Sequence, residues 1–466
     1  MSKVHARECV FTRQLRRIEG SQRGVTRTSG EYYRLEISQI LVGPTDALVI
    51  RNRSGLVLPE TVYAQHDMVR PNGLSSSFDV IVIGAGINGA GIARDAAMRG
   101  LKVLLIDKGE PGEGTTIAST RLIHGGLRYL EHFEFGLVRE SLREREILLR
   151  IAPGLVKPLA ITIPIYKQGK RGRLTIRAGM ILYDLLSWGK SLPNHRMLSR
   201  AETLKQWQGL NPDGLVGSAL YYDAQVEFPE RLVMANVRSA REFGAEVLTH
   251  TRVTNLIVND GKLSGVDFAQ GNFAEAAVVI NAAGPWIDFV LEHAPVKSPK
   301  LIGGTKGSHI VVAPFAGAPA NALYLEARSD ARPIFIIPWN KLYLIGTTDV
   351  RFEGDPDEVR CEPWEIDYLL SETNLALPGT HLTRDSILYT YSGVRPLPVT
   401  NEKDEQSITR KHFISEHPQL PNLLSIVGGK LTTYRSLAEE CVDVIFKKLG
   451  KNSPPCRTAT EVLAAD

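Results

Sequence analysis

The sequence lacks the long apolar runs that a membrane-spanning helix requires. No uninterrupted apolar stretch in its 466 residues approaches the roughly 18 residues needed to cross a bilayer. The first 20 residues are basic but have no apolar centre, which argues against a secretory signal. A hydrophobic content of 43% and a charged content of 23% are typical of a globular protein, and the length predicts two closely joined domains.

Cysteine is scarce and scattered. The four cysteines are Cys9, Cys361, Cys441 and Cys456, and no two of them form a CxxC pair. This spacing argues against a zinc site, a disulfide framework and a redox-active dithiol. We therefore predict no metal site, and we expect a reducing, cytoplasmic environment.

Excess charge is confined to the beginning of the chain. Residues 1–77 hold 11 Lys+Arg and 7 Asp+Glu, which accounts for the whole formal net charge of +4, and the remaining residues carry 44 of each. The balanced main part gives no indication of nucleic-acid binding. We interpret residues 1–77 as a disordered extension or a mis-assigned leader, with the natural start near Met68. A small β-hairpin formed by residues 37–42 and 47–50 is the alternative.

Acidic residues are absent between positions 147 and 183. Seven basic residues occur there: Arg150, Lys157, Lys167, Lys170, Arg171, Arg173 and Arg177. An apolar, aromatic helical pattern follows at 179–188. One interpretation is a solvated basic loop followed by a core helix. The other is that residues 150–188 contact an anionic membrane surface.

The main positive signal is the stretch at 78–108, FDVIVIGAGINGAGIARDAAMRGLKVLLIDK. Its apolar run at 80–83 predicts a buried parallel strand, and a helical pattern and a second strand ending at Asp107 follow. Between strand and helix, Gly84 would permit a tight turn, Gly86 a close approach to a pyrophosphate, and Gly89 close packing of helix and strand. Asp107 would accept hydrogen bonds from a ribose. The unit predicts a dinucleotide-binding fold.

Apolar strands late in the chain that return to this early fold indicate a discontinuous cofactor domain. We therefore predict an α/β protein whose Rossmann-like cofactor domain comprises residues 78–152, 221–290 and 389–448. Residues 153–220 and 291–388 would form an antiparallel substrate-binding sheet, and 449–466 a tail. This interleaving suits FAD, a long cofactor that needs a pyrophosphate site at one end and a flavin pocket at the other.

Residues 78 to about 449 resemble the FAD-dependent glycerol-3-phosphate dehydrogenases of the respiratory, quinone-linked type. The resemblance is carried by GAGINGAGIARDAA (84–97), STRLIHGGLRYLEHFEFGLVRE (119–140), KGSHIVV (306–312), IPWNKLYLIGTTDV (337–350), YTYSGVRPL (389–397), SITR (407–410) and GGKLTTYR (428–435). This family shares its fold with D-amino-acid oxidase and glycine oxidase. The sequence departs from it at VEFPER (226–231). We also expect the family's usual C-terminal helical domain, of about a hundred residues, to be missing.

The resemblance implies oxidation of sn-glycerol 3-phosphate to dihydroxyacetone phosphate by hydride transfer to FAD, with electrons passed to a membrane quinone. It also implies a peripheral position on the inner face of the cytoplasmic membrane, and it allows a homodimer. The alternatives are an oxygen-using glycerol-3-phosphate oxidase or an amine oxidase of the same fold. A truncated flavin-binding remnant with little activity is a further alternative.

A phosphorylated substrate requires fixed cations, preferably arginine. Candidates are Arg128, Arg395, Arg410 and Lys430, and each has the alternative role of an ordinary ion-paired cation. The resemblance implies that Arg128, Arg395 and Lys430 face the flavin and that Arg410 lies near the phosphate. Tyr129 is expected to line the same pocket.

The substrate hydroxyl must also lose a proton, and a general base within hydrogen-bond reach would assist. His124 and His309 are the histidines inside matching motifs, and His124 is preferred because it shares a loop with Arg128. His309 is counted among the substrate-binding candidates. Alternatively, Arg395 stabilises the developing alkoxide and water takes the proton.

Further cofactor contacts are expected from loops at strand ends. The strand-to-helix junction at 428–433 would direct a helix N-terminus towards the pyrimidine end of the flavin. The resemblance implies a backbone contact of Val253 with the adenine. The predicted cofactor-binding residues, besides the three glycines and Asp107, are Lys108, Ser119, Thr120, Val253, Ala283, Gly284, Gly428, Gly429, Leu431 and Thr432.

Overall fold

The computed structural model describes residues 39–42, 48–51, 57–59, 77–268, 272–400 and 408–464. The chain divides into two units, Met1–Asp67 and Met68–Asp466. In the first unit, β1 (Gln39–Val42), β2 (Leu48–Arg51) and β3 (Val57–Pro59) form an antiparallel sheet. The first two strands overlap the segments considered above for a hairpin. The predicted extension or leader falls largely on residues outside the described ones.

The second unit contains two sheets and their covering helices. Its first half contains β4 (Ser77–Ile83), α1 (Ile87–Met98), β5 (Val103–Ile106), β6 (Leu122–Ile123), α2 (Phe135–Ile151), β7 (Val156–Tyr166), α3 (Arg173–Leu186), β8 (Arg196–Ser199), α4 (Arg200–Gln206), β9 (Leu215–Val226) and α5 (Pro229–Glu242). Its second half contains β10 (Glu246–Leu248), β11 (Val253–Asn259), β12 (Lys262–Phe268), β13 (Asn272–Asn281), α6 (Ile287–Leu291), β14 (Thr305–Val312), β15 (Ala322–Glu326), β16 (Pro333–Trp339), β17 (Leu342–Gly346), β18 (Val350–Arg351), α7 (Pro363–Ala376), β19 (Ile387–Arg395), β20 (Phe413–Glu416), β21 (Leu423–Val427) and α8 (Tyr434–Leu449).

The first sheet has a parallel centre. Strands β10, β5, β4, β13 and β21 lie side by side in this order and run parallel. Strands β12 and β11 continue antiparallel from the first half of β13, and β20 pairs antiparallel with β21. The central strands are apolar on both faces because each face is covered, which explains their continuous rather than alternating hydrophobic pattern.

Alternate side chains of β4 enter two different cores. Val80 and Val82 pack in the core formed with α1, α5 and α8, whereas Ile81 and Ile83 pack in the core on the opposite face. Because successive side chains of a strand point to opposite faces, one short strand anchors both layers. The glycine-rich turn that follows Ile83 is therefore attached to the most enclosed part of the sheet.

The second sheet has ten strands, in the order β18-β14-β17-β16-β15-β7-β9-β6, with β19 beside β14 and β8 beside β9. Its pairs are antiparallel except for β15 with β7. A third apolar core lies on this sheet and includes residues of α7. Among the described residues, no helix combines the length and the apolar character needed to cross a membrane.

The extent of the two sheets differs from the segments expected from the sequence. Strand β19, expected in the cofactor part, pairs with β14 of the second sheet, where Arg395 lies opposite Thr305. Strand β6 likewise pairs with β9 in that sheet. The first six side chains of β19 are half-buried. A strand of this kind has the same local pattern in either sheet, so its pairing partner depends on residues distant in sequence.

Candidate active site

The turn between β4 and α1 has the geometry of a phosphate-binding loop. Gly84 has φ +103°, and a Cβ on Gly89 would lie 1.8 Å from the Gly84 carbonyl oxygen. Gly86 is the N-cap of α1, and no side chain caps the helix at that position. A Cβ on Gly86 would have only the Thr116 hydroxyl nearby, at 3.7 Å. The helix end therefore presents backbone to an open side, as a bound pyrophosphate requires.

Asp107 lies at the end of β5 and joins two loops. Its Oδ2 accepts a hydrogen bond from the Ala85 N–H at 2.5 Å, and its Oδ1 accepts one from the Gly109 N–H at 2.8 Å. Burial raises the pKa of this carboxyl, against the lowering effect of these backbone donors. Asp107 thus stabilises the glycine-rich turn, a role the sequence analysis did not assign, and its remaining lone pairs are suited to a ribose.

The turn after β13 lies against the glycine-rich turn. The Ala282 N–H donates to the Ile83 carbonyl at 2.8 Å, and a Cβ on Gly84 would be 2.6 Å from the Ala282 oxygen. Gly284 follows with φ +59°. The predicted cofactor-binding residues Ala283 and Gly284 are therefore close to the dinucleotide loop. Such close approach of two backbones is possible because Gly84 has no side chain.

Lys108 and Val253 have clear structural contacts of their own. The Lys108 ammonium forms an ion pair with Asp357 at 2.8 Å and lies 3.9 Å from the centre of the Trp286 ring. The Val253 side chain is buried in the core at the start of β11, opposite Phe268. Their proposed contacts with the cofactor stay predictions.

Ser119 and Thr120 lie between the dinucleotide loop and the second sheet. The Tyr391 hydroxyl donates to the Ser119 carbonyl, and the Thr120 hydroxyl bonds His309 Nε2, both at 3.0 Å. His309 is 1% exposed and stacks on the Tyr391 ring at 4.7 Å. Burial, with the nearby positive charges of Arg395 and Arg121, holds the pKa of His309 well below its usual value. This imidazole is neutral and enclosed, with its Nδ1 unbonded among the described residues.

His124 occupies a different environment. The Thr432 hydroxyl accepts a hydrogen bond from the His124 N–H at 3.0 Å, which joins two predicted site loops that lie 308 residues apart. Burial and the charges of Lys430 and Arg128 lower the pKa of His124 to about 4, although Asp223 opposes them. The imidazole is therefore neutral at pH 7 and able to accept a proton.

A buried network supports the loop that carries His124. The Gly125 N–H donates to the Tyr183 hydroxyl at 2.9 Å, and that hydroxyl donates to Asp223 at 2.8 Å. Arg145 completes the network with an ion pair to Asp223 at 2.6 Å, and its side chain is fully buried. Sequence reasoning missed these three side chains because each occurs within an ordinary helical or strand pattern. Their polarity at enclosed positions was the only available signal.

The predicted phosphate-binding cations come together around Asp349 and Tyr129. Arg395 donates to Asp349 Oδ1 at 2.9 Å, and Arg410 donates to Asp349 Oδ2 at 3.0 Å. The Lys430 ammonium lies 3.9 Å from the centre of the Tyr129 ring, on which Arg128 also lies, at 5.9 Å. Asp349 was not assigned a role from the sequence, although it occurs within one of the matching motifs.

The cations of this cluster influence one another. Burial, reinforced by the charge of Arg410, lowers the pKa of Arg128. Burial together with Arg410 and Arg128 lowers the pKa of Lys430 to about 7, against the opposing charges of two glutamates. The Asp349 carboxyl has a lowered pKa, because Arg395 and Arg410 outweigh the effect of its burial. The cluster is thus incompletely neutralised, which favours an anionic ligand.

The loop after β21 meets the start of α1. Gly428 and Gly429 have φ +75° and +97°, and a Cβ on Gly429 would lie 3.2 Å from the Asn88 amide nitrogen. The Asn88 Oδ1 is a buried acceptor without a hydrogen-bond partner among the described residues. Lys430 follows as the N-cap of a 3-10 turn, Leu431–Thr433, in which Thr432 is buried.

These features fit FAD. The N-terminus of α1 suits its pyrophosphate, although the Ile87 N–H already donates to the Thr116 hydroxyl at 3.2 Å. Gly84 beside Ala282 and Gly429 beside Asn88 allow close approach. The Asn88 oxygen requires a donor such as a hydroxyl or ring N–H of the cofactor. Residues that would hold FAD come from both glycine-rich loops and from the turn after β13. Among the described residues, no group of three or more His, Cys, Asp or Glu side chains is placed to hold a metal ion.

Comparison with known proteins defines the class. The FAD dependent oxidoreductase family matches residues 79–435, and the chain belongs to this family. It is similar to the glycerol-3-phosphate dehydrogenase of Synechocystis sp., with 52% identity over 408 residues, which cover 84% of this chain and 73% of the relative. The aerobic glycerol-3-phosphate dehydrogenase of Escherichia coli is 42% identical over 78% of this chain and 72% of its own length.

A solved structure supports the same assignment. The glycerol-3-phosphate dehydrogenase of Bacillus halodurans complexed with FAD matches with a TM-score of 0.66 and 31% identity, over 83% of this chain and 67% of that chain. The predicted fold class, FAD as cofactor and the resemblance to the FAD-dependent glycerol-3-phosphate dehydrogenases are confirmed. The roles of individual site residues stay predictions.

Proposed function

We propose that this protein oxidises sn-glycerol 3-phosphate to dihydroxyacetone phosphate and passes the electrons to a membrane quinone. The observation that carries the proposal is the cation cluster formed by Arg128, Arg395, Arg410 and Lys430 near a neutral His124. Such a cluster suits a phosphomonoester, whereas an amino acid substrate requires fewer positive charges. The names of the relatives support the same substrate.

In this proposal each site residue has a distinct task. FAD supplies the hydride acceptor when it is bound. Arg128, Arg410 and Lys430 bind the phosphate, and this fixes the carbon skeleton. Arg395 faces the C2 hydroxyl and stabilises negative charge on its oxygen. His124 is the candidate acceptor of the hydroxyl proton because its imidazole carries no proton at pH 7. Its low pKa makes it a weak base, so the transfer depends on Arg395 stabilising the alkoxide.

The oxidation is tested by anaerobic mixing of the purified yellow protein with candidate substrates. We expect sn-glycerol 3-phosphate to bleach the flavin absorption and glycine to leave it unchanged. Bleaching by glycine alone would indicate an amine oxidase, and a flavin that no substrate bleaches would indicate a remnant without activity. Reoxidation of the bleached protein by a short-chain quinone, but slowly by oxygen, is expected for a dehydrogenase.

Helix α3 provides the proposed membrane contact. Its outer side exposes Leu174, Ile181 and Leu185, and Trp188 follows directly; Leu174 is 81% and Trp188 is 88% exposed. Spacings of seven and four residues place Leu174, Ile181 and Leu185 along one side of α3, and Trp188 lies two residues beyond its end. These four exposed side chains are here called the apolar face. A buried core helix would not expose them. We therefore favour membrane contact and a peripheral position on the inner face of the cytoplasmic membrane.

Only part of the basic segment is available to support that contact. Lys167, Lys170 and Arg177 are exposed, and they can attract anionic lipid headgroups. Arg171 instead forms ion pairs with Glu131 and Glu326. The expected lipid contact therefore combines the apolar face with three cations.

Vesicle binding tests this surface. Leu174→Gln with Trp188→Gln should abolish sedimentation with vesicles that contain anionic lipid, and Lys170→Glu with Arg177→Glu should weaken it most at low salt. Phe273→Gln is the matched control, since Phe273 is 53% exposed on β13, outside the apolar face. Equal binding by all variants and the wild type would refute the proposed surface.

A further inference from the structure

Asp349 is the carboxylate at the centre of the cation cluster. It lies between β17 and β18, and its side chain is 11% exposed. Each of its oxygens accepts a hydrogen bond from a different arginine, Oδ1 from Arg395 at 2.9 Å and Oδ2 from Arg410 at 3.0 Å. The two guanidinium groups that the proposed function assigns to the C2 hydroxyl and to the phosphate are therefore connected through one side chain.

The backbone around Asp349 is held from beneath by a buried polar network. The Thr348 hydroxyl accepts from the Ser308 N–H at 2.8 Å and donates to Glu365 at 2.7 Å. The Glu365 side chain is fully buried and forms an ion pair with Lys306 at 2.7 Å. The position of the Asp349 carboxylate is thus determined by β14 and α7, independently of any ligand.

Arg395 is fixed from a second direction. It donates to the Thr347 hydroxyl at 3.2 Å and to the Thr348 carbonyl at 3.3 Å, in addition to Asp349. Three acceptors from one short segment orient a planar guanidinium far better than a single one. Asp349 itself is poorly suited to be the general base, because a carboxylate stabilised by two guanidinium groups binds a proton weakly.

We propose that Asp349 is a positioning residue that holds Arg395 towards the substrate hydroxyl and Arg410 towards the phosphate, and that its charge prevents the cluster from binding free phosphate too tightly. The inference rests on the proposed function. The guanidinium groups of Arg128, Arg395 and Arg410 and the partly charged Lys430 outweigh the Asp349 carboxylate, so the cluster keeps a positive charge that suits a phosphomonoester dianion. Without Asp349 the excess of positive charge would favour any phosphate, including one that lacks the carbon skeleton.

Two substitutions separate the orienting role from the charge. Asp349→Asn removes a negative charge that repels phosphate. The dissociation constant of inorganic phosphate should therefore fall about fivefold. The turnover number should fall about 10- to 100-fold, because Arg395 loses a charged hydrogen bond. Asp349→Glu keeps the charge but moves the carboxylate, so phosphate binding should stay near the wild-type value while turnover falls.

The measurements use FAD-loaded full-length protein. Phosphate binding is followed by the perturbation of flavin absorption, and turnover by reduction of a soluble quinone. Asp367→Asn is the matched control, because Asp367 also accepts two hydrogen bonds from one arginine, Arg384, but is exposed. Its phosphate binding and turnover should equal those of the wild type.

The outcomes are decisive in either direction. Weaker phosphate binding by Asp349→Asn, or wild-type turnover by both Asp349 variants, overturns the inference, whereas general structural damage cannot make phosphate bind more tightly. If Asp349→Asn does not retain FAD, Asp349→Glu decides alone: reduced turnover with wild-type phosphate binding supports the inference, and wild-type turnover overturns it. A wild-type protein that glycerol 3-phosphate does not reduce refutes the proposed function, while phosphate binding, which needs no turnover, still tests the charge of Asp349.

Discussion

The lowered pKa of Lys430 leads us to predict that kcat/KM depends on pH within the physiological range. Its ammonium contacts the Tyr129 ring and donates to the Ser141 hydroxyl at 3.3 Å, but burial and the neighbouring arginines lower its pKa to about 7. An exposed lysine keeps its charge to about pH 10. Rising pH should therefore remove a phosphate-binding charge from this site within the physiological range.

The size of the effect follows from the pKa. With a pKa of about 7, about half of the Lys430 side chains are charged at pH 7 and roughly 1% at pH 9. If the charged form alone binds the phosphate, kcat/KM should fall roughly 50-fold over this range, because kcat/KM reports ionisations of the free enzyme. Binding of the phosphate dianion raises the pKa of Lys430 again, so kcat at saturating substrate should change less.

Lys430→Arg isolates this titration from all others. Arginine remains charged throughout the range, so the ratio of wild-type to variant kcat/KM should fall with pH, and ionisations of the substrate and of other residues should cancel. The assay is initial-rate reduction of a soluble quinone between pH 6 and 9. A ratio that is constant with pH, or one that rises, would refute the assignment of Lys430 as a charged phosphate ligand.

Three further predictions concern other parts of the molecule. Gly89→Ala should lower the melting temperature even without FAD, because the new Cβ would lie 1.8 Å from the Gly84 carbonyl oxygen. Gly86→Ala has room for its Cβ, so it should leave the melting temperature unchanged but weaken FAD binding in a fluorescence titration. His124→Gln should lower kcat about 100-fold or more with little change in KM, and the wild type should show no loss of kcat attributable to this group near pH 6. Arg435→Met should lower the free energy of unfolding, measured with denaturant, by about 3–5 kcal/mol, because the buried Glu144 carboxylate loses its buried ion-pair partner. Arg384→Met breaks an exposed ion pair and should lower it by less than about 1 kcal/mol.

The dinucleotide unit was the most predictable part of the fold. Its strand, glycine-rich turn, helix and acidic residue are adjacent in sequence, so local pattern defines them. The residues of the cation cluster were also identified in advance, though through the resemblance of their motifs. Hydrophobic periodicity alone could not predict that Arg128 lies close to Lys430, because the proximity of residues 302 positions apart depends on the pairing of strands.

Residues that support the site indirectly were not predictable. Asp349, Asp223 and Glu365 act through hydrogen bonds to other side chains, and each occurs in a segment whose pattern is fully explained by its secondary structure. The expected place of β19 in the cofactor part differs from the structure for a related reason. Its sequence predicts a strand correctly, but neither alternation nor composition specifies which of two sheets it joins.

The turn that lines the substrate site is hydrogen-bonded to the segment that precedes the apolar face. The 3-10 turn Leu127–His132 carries Arg128 and Tyr129, and Glu131 of the same turn accepts a hydrogen bond from Arg171 at 2.6 Å. Arg171 lies two residues before the start of α3, so the turn that lines the cation cluster is directly bonded to the segment that leads into the proposed membrane-binding helix. The proposed function requires a reductant dissolved in water and an acceptor dissolved in lipid to react at one flavin, and this hydrogen bond fixes the turn that lines the cation cluster against the segment that leads into α3.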